Sequence, residues 1–208
     1  MTKEIWKPGN MLYPVPAVLV SMRGPDGRDN LVTVAWTGTV CTNPAMAYIS
    51  LRPSRFSYGL IRDSGEFAIN LTTEQLAFAT DFCGVRSGRE VDKFGHLGLT
   101  REKASCIQAP LLGESPVSIE CRVRDIHPYG SHHMFVAEVL AVQADRAYLD
   151  ASGKLDLGRA GLLAYSHGAY YCLGKKLGKF GWSVQKRNRK GRHQKPEGDS
   201  HGHRGSAL

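Results

Sequence analysis

Arg52-Pro53-Ser54-Arg55-Phe56-Ser57 sets two guanidiniums and two hydroxyls immediately ahead of a short helical pattern. A phosphate group is met by backbone N–H groups at a helix N-terminus, a hydroxyl donor and a guanidinium. This stretch supplies all three. The same residues also describe a capped helix with two solvated arginines, so the cluster alone leaves both uses open. A second group, Thr33, Trp36, Thr37 and Thr39, places small hydroxyls and open backbone amides around one aromatic, which suits a planar polar ring; a lone tryptophan is otherwise a common core residue. The third group is Cys83-Gly84, Ser87-Gly88 and Lys93, a loop offering amides, a hydroxyl and a cation, or an ordinary surface loop.

The elements that must position these groups are mostly strands. Ala17 to Ser21 is a short apolar run, Gly24-Pro25-Asp26-Gly27 is turn chemistry, and Asn30 to Trp36 resumes with β-branched residues, which reads as a hairpin. Ala45 to Leu51 is a third strand, leaving through Arg52-Pro53-Ser54 into a helix from about Ser57 to Ser64 that Gly65 stops. Glu66 to Leu71 is a fourth strand. Thr72-Thr73-Glu74-Gln75 has capping-box form and opens a helix to about Cys83, and a second short helix starts near Asp92. Further strands are expected at Val117 to Ile126, Met134 to Ala144, and Ala147 to Leu149. Several strands with few helices argue for a barrel or sandwich rather than a parallel α/β sheet.

A chain of 208 residues fits one domain with a sizeable core. No run of 18 or more uncharged apolar residues crosses a bilayer, and Met1-Thr2-Lys3-Glu4-Ile5-Trp6-Lys7-Pro8 lacks the pattern of a secretory signal, so a cytoplasmic location is the default expectation. The formal charge of +8 is mostly terminal: from Lys186 onward seven cations face only Glu197 and Asp199, a net +5. The tail 187–208 has almost no apolar residues and reads as a disordered, solubilising extension rather than a specific nucleic-acid module. His201 and His203 on that tail make a poor metal site. Five cysteines, odd in number and without a Cys-x-x-Cys pair, argue against a disulfide framework or zinc site and read as buried apolar residues in a reducing compartment.

The order of the pieces carries more than any one of them. Pro14-Val15-Pro16, Asn30-x-x-Thr33-x-Ala35-Trp36, Asn43-Pro44, Ser50-Leu51-Arg52-Pro53-x-Arg55-x-Ser57-Tyr58, Gly65-Glu66-Phe67-x-x-Asn70, Asp81-x-Cys83-Gly84, Ser87-Gly88, Asp92-Lys93-Phe94, Gly98-Leu99 and Gly130-Ser131-His132 follow one another in a series. It resembles the flavin reductase-like proteins of the FMN-binding split-barrel superfamily, and the flavoredoxin subgroup in particular. Leu173-Gly174-Lys175-Lys176-Leu177-Gly178-Lys179-Phe180-Gly181-Trp182-Ser183-Val184 resembles that subgroup's C-terminus. The likeness covers about residues 8 to 186.

The resemblance implies a mainly β, Greek-key split β-barrel with a few short helices, spanning residues 1–186, that forms a homodimer and holds FMN noncovalently near the subunit interface. It implies that Thr33, Trp36, Thr37 and Thr39 line the isoalloxazine and ribityl region. Ser50, Arg52, Arg55 and Ser57, with Ser87 and Lys93, would hold the ribityl phosphate. A catalytic histidine near the nicotinamide or flavin edge falls at His132; Ser131 stands where an acidic residue is expected, and His133 follows directly, so the sequence leaves these two histidines as alternatives. The implied activity is an oxidoreductase in which hydride from NADH or NADPH reaches the flavin and electrons pass to an acceptor. The alternative is an FMN-bearing electron carrier reduced by a redox partner protein. No Gly-x-Gly-x-x-Gly follows a strand, so a nicotinamide would dock transiently rather than in a Rossmann site.

Overall fold

The structure is a computed structural model that describes residues 1–184; the tail expected from 187 lies outside them. Residues Met1–Gly174 form one unit, and the chain from Lys175 a second. In the first unit β1 (Val15–Pro16) leads into β2 (Val18–Arg23) and β3 (Asp29–Val34), then β4 (Thr37–Cys41) and β5 (Met46–Leu51). Helix α1 (Phe56–Ser64), strand β6 (Glu66–Leu71), and helices α2 (Ala77–Val85) and α3 (Lys93–Leu97) follow. The short pair β7 (Arg101–Glu102) and β8 (Leu111–Leu112) precedes the long hairpin β9 (Val117–Tyr129) and β10 (His132–Ala144), and β11 (Leu163–Ser166) and β12 (Ala169–Cys172) close the series.

Seven strands make one antiparallel sheet in the order β3-β2-β6-β9-β10-β5-β4. Its two outermost strands, β3 and β4, are consecutive in the chain and joined by only Ala35 and Trp36. The sheet therefore curls until its edges come near each other. The Ser50 N–H donates to the Trp36 carbonyl at 2.8 Å, which extends the β4–β5 ladder by one rung and holds Trp36 at the end of β4. The curled sheet is the split barrel, and both Trp36 and the exit of β5 toward Arg52 lie at its split.

Five of the six residues of β2 are buried, because the strand has a core on each side. Val18, Val20 and Met22 face the barrel interior with Ile49, Phe67 and Phe135. Leu19 faces outward, under Leu31, Leu76, Cys83 and Phe94 of the segments that α2 and α3 lay over the sheet. Each such fully buried side chain contributes about 1.5–3 kcal/mol, so the connection between α2 and α3 is anchored at both ends to a rigid wall. Three expectations need correction. Thr73 precedes a 3-10 turn, Glu74–Leu76, with no side-chain cap, and Thr72 instead donates to the Ala17 carbonyl, so a tertiary bond has replaced the capping box. Residues 147–149 belong mostly to a 3-10 turn, Arg146–Tyr148, capped by Asp145, rather than a strand. Trp36 lies in the bend after β3 rather than within it. Gly65 does stop α1, at a left-handed φ of 71° that favours glycine. In the second unit the described chain is irregular apart from a 3-10 turn at Trp182–Val184. Among the described residues no helix is long and apolar enough to cross a membrane.

Candidate functional site

Three cavities along the barrel split share walls and form one groove. The first, about 270 Å3, is lined by Arg52, Arg55, Arg86, Arg89 and Lys93 together with Ser54, Ser57, Ser87, Gly88 and two apolar residues. The second, about 140 Å3, shares Val32, Arg52 and Arg55 with the first and adds Thr33, Trp36, Ser50 and His132. The third, about 470 Å3, shares Trp36, Ser50 and His132 with the second and opens onto Met11, Leu12, Val15 and Tyr48. One end is cationic and the other aromatic and apolar.

The cationic end is built by the start of α1 and the loop after α2. Helix α1 has no side-chain cap and no acidic residue in its first turn. Tyr58 N–H closes onto the Arg55 carbonyl at 3.0 Å, and among the described residues the Phe56 and Ser57 amides have no such acceptor. Those amides carry the positive end of the helix dipole. The alternative of a capped helix is thereby set aside. Ser57, 2% exposed, accepts from Asn30 Nδ2 at 2.8 Å. A Cβ on Gly88 would collide with the Asn30 amide, so only glycine lets this loop press against β3. Asn30 thus locks the loop to the start of α1. Arg89 N–H donates to Ser87 Oγ at 3.2 Å, tightening the same turn.

Lys93 is 2% exposed, and its ammonium donates to the Leu31 carbonyl at 2.7 Å and the Cys83 carbonyl at 2.8 Å. Burial, with a smaller contribution from the Arg55 charge, lowers its pKa from the usual lysine value to about 8. Cys83, which the sequence placed in a candidate loop, is 1% exposed within the outer core, and burial pushes its thiol up to about 11. It is a packing residue.

Along the ring end, Thr37 donates to the Tyr48 carbonyl at 2.6 Å and Thr33 donates to the Thr80 carbonyl. Both hydroxyls have given their proton to backbone, so toward the groove they offer only acceptor lone pairs. Thr39 does not join them. It lies two residues farther along β4 than Thr37, roughly 7 Å on, next to a register shift, and is exposed. The two histidines separate by strand alternation. His133 Nδ1 sits 2.8 Å from the Tyr58 hydroxyl on the α1 side, whereas His132 lines the groove with Ser131 Oγ 2.9 Å from its Nδ1. Burial and then the Arg52 and Arg55 charges lower the His132 pKa, disfavouring the charged imidazolium.

Of the candidate residues, Thr33, Trp36, Thr37, Ser50, Arg52, Arg55, Ser57, Ser87, Lys93 and His132 line this groove and Thr39 does not. Sequence reasoning passed over Arg86 and Arg89, although both flank the Ser87-Gly88 pair it singled out; counting charge in that loop would have found them. It also passed over Met11, Leu12 and Tyr48, which only the tertiary fold brings to the ring end.

A split barrel with a cationic cleft running into an aromatic one defines a class, and comparison with known proteins gives the family: residues 10–174 match the flavin reductase like domain, and the chain belongs to that family. Its fold resembles the flavoredoxin of Desulfovibrio vulgaris (Miyazaki F), with a TM-score of 0.83 and 28% identity over 88% of this chain and 100% of that one. The flavoredoxin from Methanosarcina acetivorans gives a TM-score of 0.80 at 27% identity, again over 88% and 100%. Among curated relatives, an FMN reductase (NADH) of Methylorubrum extorquens is 29% identical over 60% of this chain and 69% of its own length. A flavin-related redox role follows from the family and its members. The groove fits such a cofactor on its own chemistry, with donors and, among the described residues, no carboxylate lining the cationic cavity and an aromatic wall beyond it.

Proposed function

We propose that the protein is an FMN-binding flavin oxidoreductase that takes hydride from NADH or NADPH and passes the electrons to an acceptor. The observation that supports this best is the continuity of the groove: a phosphate-suited cavity ends where Arg52 and Arg55 also wall the next one, which holds Trp36 and His132. Bound flavin would supply the hydride-accepting centre at N5, so the side chains need only bind, orient and exclude water. Arg52, Arg55, the hydroxyls of Ser57 and Ser87, and the open α1 amides hold the ribityl phosphate, with Lys93 behind them. Trp36, Thr33, Thr37 and Ser50 flank the ring and ribityl chain. His132, tethered by Ser131 and with its charged form disfavoured, stands at the ring edge.

The likeness to two flavoredoxins across their whole length favours a second reading, an FMN-bearing electron carrier reduced by a protein partner. Anaerobic mixing of the yellow protein with NADH or NADPH decides between them. Prompt bleaching of the flavin band supports the oxidoreductase, and its absence with either nucleotide supports the carrier. A colourless protein that takes up no added FMN would end both. The functional unit we propose is a homodimer, since the third cavity is open to the surface beside exposed Met11 and Leu12, which a second subunit would cover. Sedimentation showing a monomer with one FMN bound would overturn it.

A further inference from the structure

Beside the ring end stands a second, smaller sheet of three strands in the order β1-β11-β12. Val15, which lines the third cavity, pairs with Tyr165 of β11. Tyr13 joins that strand pair to the wall formed by Gly9, Asn10, Met11 and Leu12. Its ring meets three others. Trp36, a groove residue, lies with its ring centroid 6.4 Å away and its plane tilted by 46°. Tyr165 and His167, from the β11–β12 hairpin, both meet Tyr13 edge-to-face at 6.0 Å, at interplanar angles of 63° and 85°. Tyr13 is thus the joint between the hairpin and the residues that would flank a flavin ring.

Local turn chemistry does not account for His167. Ser166 and Ala169 are partners, so His167-Gly168 alone joins the two strands, and both residues have positive φ, 47° and 89°. A two-residue loop of that form favours asparagine or glycine at its first position. Among the described residues His167 is the only one other than glycine with positive φ. Histidine tolerates the left-handed region, but the turn gains nothing from it over asparagine. What the imidazole adds is its edge-to-face contact with Tyr13. A local preference is broken here where the gain is tertiary.

We propose that His167 is a positioning residue for the ring end of the groove: through Tyr13 it holds Trp36 and the 9–12 wall in the orientation that receives a planar ring. The inference rests on the reading that the flavin ring lies beside Trp36. It makes the ring end answer to a hairpin that lines none of the three cavities. The cationic end is built by other elements, α1 and the loop after α2, so the phosphate contacts should not share in the effect.

The test compares wild type with His167→Asn, which keeps a residue that the turn favours and removes the imidazole. Dissociation constants are measured for FMN and for riboflavin, together with the visible circular dichroism of bound FMN. An edge-to-face pair corresponds to roughly two- to tenfold in an equilibrium constant. Both dissociation constants should therefore rise by the same factor within that range, and the flavin dichroism bands should change. A lost phosphate contact would instead weaken FMN alone. Tyr13→Leu supplies the second arm, because a residue that acts through Tyr13 has nothing left to act on: adding His167→Asn to Tyr13→Leu should cause no further change. Unchanged affinity and dichroism in His167→Asn, a loss confined to FMN, or the same loss with and without the Tyr13 ring would each overturn the proposal and leave the flavin site standing. If wild type binds neither FMN nor riboflavin, the underlying reading fails and this inference fails with it.

Discussion

Two sets of arginines among the described residues have opposite surroundings. Away from the groove, Arg23 and Arg101 share Asp29, Arg101 also reaches Asp92 at 2.8 Å, and Arg122 meets Glu66 at 3.4 Å. Around the groove, Arg52, Arg55, Arg86 and Arg89 line a cavity that, among the described residues, has no carboxylate in its wall. The first group is neutralised from within the chain. The second has no carboxylate partner among the described residues, and until an anion neutralises it its mutual repulsion works against the fold. Charge that lacks an internal partner, gathered by an uncapped helix and a glycine-locked loop, marks where an anionic ligand belongs.

The sharpest way to break this comparison is Arg55→Ala. A charge-assisted hydrogen bond contributes about 1.5–3 kcal/mol, so the FMN dissociation constant should rise roughly 10- to 100-fold by the usual tenfold per 1.4 kcal/mol. Riboflavin, lacking the phosphate, should be nearly unaffected. The ligand-free variant should melt no lower than wild type, since removing one cation relieves the others. Equal loss for both flavins in parallel titrations would move Arg55 into the structural group.

Lys93 allows a second, smaller test through pH. Its folded pKa of about 8 lies below its unfolded value of 10.5. Between those values the unfolded chain binds more protons, so the ligand-free protein should gain stability as pH rises through that window. A bound phosphate favours the ammonium and draws its pKa back up, so FMN affinity should fall over the same rise, by up to about tenfold for each pKa unit the phosphate restores. The phosphate is already doubly charged above a pKa near 6, and Cys83 at about 11 titrates outside the range from 7 to 9. The opposite signs make the experiment discriminating. Calorimetric melts without ligand and FMN titrations at pH 7, 8 and 9 suffice, and FMN affinity flat across that range would show that the Lys93 charge does not reach the phosphate.

Much of the fold and groove was legible because the signals were local. Turn residues at Gly24 to Gly27 and the glycine at 65 fixed the β2–β3 hairpin and the end of α1, and the Arg52-to-Ser57 cluster sits beside its own helix start. The misses share a different cause. Thr72 abandoned the capping role that its spacing advertised for a bond to Ala17, 55 residues away. Thr39 shares the small hydroxyl of Thr37 and its strand, but the groove ends between them. The choice between His132 and His133 needed the register of β10, which places His133 opposite Leu51 of β5 and its ring against Tyr58. Arg86 and Arg89 were in plain view and became informative only once the absence of a carboxylate in the cavity wall was known.

The smallest expected effect belongs to the paired group, and its smallness is the point. Arg23 Nε lies 2.7 Å from Asp29 Oδ1, with the Arg23 side chain 40% exposed. The hydrogen bond to Asp29 raises the Arg23 pKa against a desolvation cost, but solvent screens a pair so exposed. Such pairs contribute about 0.2–1 kcal/mol. Asp29 also keeps Arg101 at 3.3 Å, so Arg23→Ala leaves no orphaned carboxylate. The variant should therefore lose at most about 1 kcal/mol, a melting shift of roughly 2–4 °C or less for a chain of this size, and its FMN dissociation constant should stay within experimental error of wild type. Weakened FMN binding in Arg23→Ala comparable to that in Arg55→Ala would mean that ligand affinity reports the total positive charge of the protein rather than the unpaired set at the groove.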